Sequence, residues 1–306
     1  MPDPEQSAVP HPRPWRVILE AGLIHSCIWV GFCATGLLTL MHGIVPVFAW
    51  QPYLLCFTGV VFIYNLDHLL DARAGTVSDP ELATLLDGRF RLMILALMSV
   101  CAAIALGLLA RYPTLRTSPA LYLAAGAGLF YGLPILPTWS GARRGWRRLK
   151  DLPGMKVVLI ASAVTTAALA LPISFASIDP LQRFGEVAPA ALFLFVFTGT
   201  NALLFDLHDI TADRASGART LPVTLGPDRT RQLITWVNLL AGCLLIVIWL
   251  SGPATPYPEW LLLLAGMIGL TYRLGPNTPR SLVAWIVDGT LLLPGCFGLL
   301  RDALQA

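Results

Sequence analysis

The sequence predicts an all-α polytopic membrane protein with nine transmembrane helices. Three observations predict it. The 306 residues are 56% hydrophobic and only 13% charged, with a mean hydropathy of +0.67. The apolar runs recur at about 20 residues, the length a helix needs to cross the hydrocarbon layer. Once those runs are placed, all but four of the 21 Lys and Arg residues fall on the N-terminal side of the membrane, and basic loops stay cytoplasmic.

The runs lie near 17–40, 46–70, 91–110, 119–137, 154–175, 187–208, 231–250, 258–273 and 281–300. The four exceptions are Arg111, Arg116, Arg183 and Arg301. The N-terminus is therefore expected in the cytoplasm and the C-terminus outside, in a bacterial inner (plasma) membrane. Residues 1–16 are rich in Pro and lack the order of a cleavable signal peptide, so they read as a mobile cytoplasmic tail ahead of a single membrane domain over 17–306. Topology accounts for the net charge of +3, which leaves no signal for a nucleic-acid partner. The six cysteines stand singly in apolar spans and read as small buried packing residues rather than disulfides or metal ligands.

The sixth run ends in LLFDLHDITADRASGARTLPVTLG, residues 203–226, with Asp206, Asp209 and Asp213 close together. If the helix continues to 213, then at about 100° per residue the three carboxylates lie within about 60° of one another on one stripe. Like charges at the edge of a low-dielectric region repel and need a cation. Oxygen ligands completed by water and phosphate are the usual way of holding Mg²⁺, with a diphosphate as its partner. A solvated acidic helix end is the alternative on spacing alone.

A second instance strengthens the cation reading. The second run ends in IYNLDHLLDARAG, and an offset of 142 residues aligns Asp67 with Asp209 and Asp71 with Asp213, placing Tyr64 opposite Asp206. The same offset carries span two onto span six, a pseudo-repeat of helices 1–4 and 5–8. Both motifs then leave the membrane on the cytoplasmic side.

Two aspartate motifs at the cytosolic ends of the second and sixth of nine helices, the second of the form D-x-x-D-x-x-x-D followed by a Gly and TLPVTLG, resemble the UbiA-type intramembrane prenyltransferases. The resemblance implies nine transmembrane helices around a central cavity embedded in the membrane, in which a prenyl group passes from a prenyl diphosphate to a lipophilic or aromatic acceptor, with Mg²⁺ as cofactor and membrane lipids outside. By resemblance, Asp67 and Asp71 hold one metal and Asp206, Asp209 and Asp213 the other. The metal would neutralise the diphosphate as a leaving group. The prenyl tail would lie among apolar helices.

One departure stands out. The family's first motif opens with Asn-Asp, and here those positions are Ile63 and Tyr64. Asn65 points away from the acidic stripe, whereas Tyr64 shares it. A UbiA-type terpene cyclase, or a non-catalytic protein of the same fold, is therefore kept as an alternative. The family also uses basic residues against the diphosphate. The segment GARRGWRRLKDLPGMK offers Arg147, Arg148, Lys150 and Lys156, and Arg219 stands ahead of TLP; topology alone would also make the segment basic. Of the family's Tyr-then-Lys pair ending span four, Tyr131 is present and Ile135 replaces the Lys. Tyr131 suits either an acceptor pocket or core packing. Asp288, about 10 Å into span nine by helix rise, is an intramembrane carboxylate for the pocket or for a neighbouring helix. Asn201 lies on the cytoplasmic half of span six and suits the same cavity. His68 and His208 flank aspartates without zinc-like spacing.

Overall fold

The computed structural model describes residues 19–44, 49–75, 77, 80–140, 143–176, 179, 181–252 and 257–305. The predicted tail over 1–16 lies outside them. A π-helical turn, Glu20–His25, leads into α1 (Ile28–Thr39), α2 (Gln51–Ala74), α3 (Pro80–Leu86), α4 (Arg89–Arg111), α5 (Pro113–Arg116) and α6 (Pro119–Gly132). An antiparallel hairpin follows, β1 (Pro134–Ser140) and β2 (Arg143–Arg148), then a 3₁₀ turn at Leu149–Asp151. The second half consists of α7 (Met155–Ala176), α8 (Phe184–His208), α9 (Ile210–Ser216), α10 (Leu221–Leu225), α11 (Pro227–Ser251), α12 (Pro258–Arg273), α13 (Arg280–Thr290) and α14 (Leu293–Gln305).

Every predicted span contains helix, but only six stretches among the described residues are long and apolar enough to cross a membrane: 51–74, 89–111, 155–176, 184–208, 227–251 and 280–301. The count of nine full-length spans is not confirmed among the described residues, which depart from it at three places. Span one breaks at Ser26 and Cys27, leaving a helix of 12 residues. Span four stops at Gly132 because Leu133 precedes Pro134 and takes the extended conformation that proline imposes on its predecessor. Pro134 and Pro137 then keep the chain extended into β1. Span eight forms only 16 helical residues. Span nine has a bend at 291–292, because Pro294 has no N–H to give the carbonyl four residues back.

The helices start where prolines can enter the first turn without losing a hydrogen bond, as at Pro52, Pro119 and Pro258. α8 is the central element, packed against α7, α11, α12 and α13, with most of its length buried. Near its start Phe193 and Phe197 stack with Trp260 and Tyr257 of the α12 region, ring centroids 4.6–5.3 Å apart. Large apolar residues such as Leu106, Leu123, Trp236, Leu240 and Leu262 face outward on α4, α6, α11 and α12, the surface of a protein whose solvent on those faces is lipid. Buried side-chain amides join helices inside the bundle, where backbone and side-chain polar groups must find partners within the protein. Asn238 donates to Thr200 Oγ1 at 2.8 Å and Asn201 to the Val287 carbonyl at 2.6 Å.

The cysteine expectation holds in part. Cys27, Cys33, Cys56 and Cys101 are buried and free of disulfides, whereas Cys243 and Cys296 are exposed on outward faces of α11 and α14.

Candidate active site

The acidic helix ends meet at one end of the bundle, and local structure explains why. α2 runs unbroken through Asp67 and Asp71 and ends at Gly75, whose φ of 66° allows its N–H to reach the Asp71 and Ala72 carbonyls. The second motif was expected on one continuous helix to 213, and here the structure differs. α8 ends at His208, Asp209 caps it, and α9 restarts at Ile210. α9 ends at Gly217, φ 75°, with its N–H on the Asp213 and Arg214 carbonyls. The break is slight, since Asp213 N–H donates to the Asp209 carbonyl at 2.8 Å, and Asp209 and Asp213 still share one cavity wall.

A cavity of about 430 Å³ opens among these ends. Asp67, Asp71, Asp209, Asp213, Tyr64, Tyr131, Asp288, Arg148, Lys150, Lys156, Arg219 and Asn201, all singled out in the sequence, line it. Two predicted residues do not. Asp206 is 1% exposed and stands behind the wall, its Oδ1 accepting from Lys156 Nζ at 2.6 Å. The side chain of Arg147 lies outside the described residues; its backbone pairs in β2 with Leu136.

The hairpin and its 3₁₀ turn return the basic segment to the aspartates. Lys150 Nζ donates to Asp67 Oδ1 at 2.5 Å and Asp71 Oδ2 at 2.9 Å, and Arg148 donates to Asp71 Oδ1. Lys150 also lies over the Tyr131 ring, 5.1 Å from its centroid. The end of α6 approaches Asp67 so closely that a Cβ at Gly132 would sit 2.9 Å from Asp67 Oδ1, so this position needs glycine. On the other side Gly154, φ 74°, turns the chain into α7 and puts Lys156 in its first turn.

Some functional neighbours escaped the sequence reading. Arg280, at the start of α13, donates to Asp209 Oδ1 at 2.8 Å and lines the cavity. Its only signal was a basic residue at the cytoplasmic start of a span, which topology already explained. His208 reaches the same Asp209 oxygen at 2.8 Å. Thr220 donates to Asp213 Oδ2 at 3.0 Å. Asn65, which faces away from the acidic stripe as expected, donates to the Ser26 carbonyl at 2.7 Å, a group freed by the break in span one. It thereby ties the π-helical turn, with Ile24 and His25, to the cavity wall.

Electrostatics separate the carboxylates outside the spans. Burial pushes Asp209 up, but the His208 hydrogen bond and the Arg280 guanidinium outweigh it and hold the carboxyl below its usual range. Burial raises Asp213 to about 6, only partly opposed by Lys156. Asp206 keeps one oxygen, Oδ2, buried without a hydrogen-bond partner, which in a carboxylate carries a desolvation cost that a cation would remove. Among the described residues no three His, Cys, Asp or Glu side chains ring one point as they stand. A Mg²⁺ site that takes most of its ligands from water and phosphate needs only one or two carboxylates, and the second motif offers them.

A second cavity, about 450 Å³, lies deeper between α2, α4, α6 and α7. Its walls are almost wholly apolar and rich in small residues, including Gly59, Ala102, Ala105, Ala124 and Ala163. Tyr64, Asp67, Tyr131 and Ile160 line both cavities.

A helical membrane bundle with an acidic and basic cavity at one end and an apolar cavity adjoining it defines the class: an integral membrane protein with a charged and an apolar cavity side by side. The UbiA prenyltransferase family profile matches residues 147–285, which include the second aspartate motif and not the first. That match covers somewhat less than half of the chain, and it marks the second half as similar to the UbiA prenyltransferase family. Its fold is similar to that of a UbiA homologue from Archaeoglobus fulgidus bound to GPP and Mg²⁺, with a TM-score of 0.62, 15% identity, and coverage of 94% of this chain and 99% of the other. The same homologue bound to DMAPP and Mg²⁺ gives 0.59 at 17% identity over 90% and 96%. No curated protein sequence matches the chain.

Proposed function

We propose that the protein is a Mg²⁺-dependent prenyltransferase that moves a prenyl group from a prenyl diphosphate to a lipophilic or aromatic acceptor within the membrane. The observation that carries this reading is the pair of adjoining cavities, one charged and one apolar, sharing Tyr64, Asp67, Tyr131 and Ile160. A diphosphate fits the first and an isoprenoid tail the second, which puts the bond to be broken near the two tyrosines. The folds that resemble this one were solved with GPP or DMAPP and Mg²⁺, in keeping with that assignment.

The second motif would hold the metal through Asp209 and Asp213, which line the cavity, with Asp206 behind them paired to Lys156; the metal would neutralise charge on the leaving diphosphate. The other roles fall to the chain's own side chains. Lys156, Arg148, Arg219 and Arg280 border the charged cavity and are placed to receive phosphoryl oxygens by charge-assisted hydrogen bonds. Tyr64 and Tyr131 present ring faces or hydroxyls where positive charge develops on the allylic carbon. Asp288, on the cavity wall, is placed to accept a hydrogen bond from the acceptor or a water. The apolar helices keep bulk water away from that carbon, which an allylic cation requires if an acceptor is to capture it.

The test is incubation of the purified protein with Mg²⁺ and prenyl diphosphates of several lengths, with and without quinone-precursor-like and other lipophilic acceptors. An acceptor adduct supports the reading. A cyclised hydrocarbon or alcohol formed without acceptor would replace it with the cyclase alternative, to which the altered first motif points. No release of diphosphate would leave a non-catalytic protein of this fold.

A further inference from the structure

We infer that Lys150 stands in place of a metal ion at the first aspartate motif, so that the protein holds its divalent cation at the second motif alone. The inference rests on the transferase reading above and concerns how the chain's own residues divide the charge of the diphosphate site.

It begins with the way the two motifs are filled. Lys150 Nζ bridges Asp67 Oδ1 and Asp71 Oδ2, at 2.5 and 2.9 Å, as a shared ion would. Arg148 takes the other Asp71 oxygen. The ammonium is enclosed, its side chain 10% exposed, and the Tyr131 ring covers it at 5.1 Å, a cation–π contact that holds it in place. Two carboxylates thus meet two basic groups. Where the 142-residue offset calls for a third carboxylate the chain has Tyr64, and a phenol with an ordinary pKa near 10 supplies no ligand charge at neutral pH.

The second motif is built otherwise. It keeps three carboxylates. Lys156 meets Asp206 through Oδ1, while Asp206 Oδ2 is buried with no partner. Arg280 and His208 both meet Asp209 at Oδ1, and Asp213 accepts from the neutral Thr220 hydroxyl, so among the described residues no ammonium bridges Asp209 and Asp213 as Lys150 bridges the first pair. The buried carboxylate oxygen without a hydrogen-bond partner, Asp206 Oδ2, thus lies at the second motif, beside Asp209 and Asp213 of the cavity wall. A divalent cation entering the first would have to displace an ammonium already held by three groups or sit against it, and like charges at such range repel strongly.

The chemistry of the two cations makes the division workable. Mg²⁺ demands oxygen ligands in near-octahedral array, which Asp209 and Asp213 on the cavity wall can provide together with water and phosphate. An ammonium has no such demand; it offers three rotatable donors on a flexible stem and can keep one on the aspartates while turning another to a phosphoryl oxygen.

The experiment counts protein-bound Mn²⁺, used in place of Mg²⁺, by electron paramagnetic resonance on the full-length protein in detergent with inorganic diphosphate. One Mn²⁺ per chain is expected for the wild type, one for Asp71→Asn, and two with mutual spin broadening for Lys150→Met. Two Mn²⁺ in the wild type, or loss of the single Mn²⁺ in Asp71→Asn, would overturn the inference and leave the transferase reading intact. A single Mn²⁺ in Lys150→Met would show that Lys150 is not what excludes the second ion. No bound Mn²⁺ in the wild type would sink both. If Lys150→Met fails to fold, the Asp71→Asn count decides where the metal sits without any change at 150.

Discussion

The two aspartate motifs are alike in backbone and unlike in chemistry. Gly75 and Gly217 lie 142 residues apart, both with positive φ, and each N–H closes on the carbonyls of the last motif aspartate and the residue after it. The offset seen between aspartates therefore extends to the way the two helices end. The contents differ: a lysine bridges the first pair, whereas the second has a third carboxylate with a buried, unpartnered oxygen. The difference teaches that scaffold and charge separate readily in a repeated fold. A glycine cap fixes where a helix stops, while one residue, Tyr64 against Asp206, decides how much negative charge a site must have neutralised.

The largest expected effect breaks or confirms that asymmetry. Asp209→Asn removes a charge at nearly constant shape, and product formation should fall by about 100-fold or more with the protein still folded, as expected where a ligand's charge holds the metal. Asp71→Asn should lose only about tenfold, because it removes a counter-ion of Lys150 and Arg148 and leaves the metal in place. Equal losses in the two variants, measured as initial rates at saturating Mg²⁺, would end the comparison. Arg280→Met comes next. It removes the guanidinium that orients Asp209, and a loss between about 10- and 100-fold is expected, the usual range for groups behind a metal ligand. Much of it should appear as weaker Mg²⁺ dependence.

How far the sequence already disclosed this site can be judged from the same residues. The carboxylates were legible because charge inside an apolar run is costly and therefore informative, and Lys150, Lys156 and Arg148 because a dense basic segment is visible in any loop. Arg280 was hidden, since a lone arginine at a span end satisfies topology without further cause. The helix count was readable only as helix. That span four stops short is written in Pro134 and Pro137, but the hairpin they start depends on strand pairing between Pro134 and Arg148, a contact no periodicity reports. The break at Asp209 had no local signal: neither Gly nor Pro stands there, and the Asp213 N–H to Asp209 carbonyl bond nearly restores the helix. The apolar cavity was expected only as a tail among helices, because its small residues come from separate elements.

That cavity sharpens the comparison further. The 142-residue offset sets Gly59 of α2 against Asn201 of α8. Asn201 is spent on the Val287 carbonyl, whereas a Cβ at Gly59 would meet nothing within 4 Å and would enter the space bounded by α4, α6 and α7. One half of the repeat thus ties helices together where the other leaves room. Gly59→Phe should fill the room without a backbone clash. The expected outcome is a fall on the order of tenfold in the rate ratio of long to short prenyl diphosphates, with short donors still used, since steric exclusion in an apolar pocket acts at this scale. An unchanged ratio with a raised acceptor KM would assign the cavity to the acceptor instead.

The smallest expected effect tests the position where the two motifs diverge. Tyr64 lines both cavities, one turn ahead of Asp67 on the acidic face of α2, and so sits where headgroup and tail would join. A neutral phenol can donate one hydrogen bond to a phosphoryl oxygen or present its ring to a developing cation. A single neutral hydrogen bond contributes about 0.5–1.5 kcal/mol net, so Tyr64→Phe should slow turnover by about fivefold, with the Mg²⁺ dependence unchanged because no metal ligand is touched. Unaltered turnover would leave the ring alone as the contributing part, and Tyr64→Ala would then have to show a loss that Tyr64→Phe does not. Tyr64→Asp gives the sharpest reading. It restores the third carboxylate of the second motif at the first, where Lys150 and Arg148 already balance Asp67 and Asp71, so it should add unneutralised charge and lower the rate. If it instead tightened Mg²⁺ binding and raised the rate together, the first motif would be a metal site that lost one ligand, and the division of charge between an ammonium and a metal would be wrong.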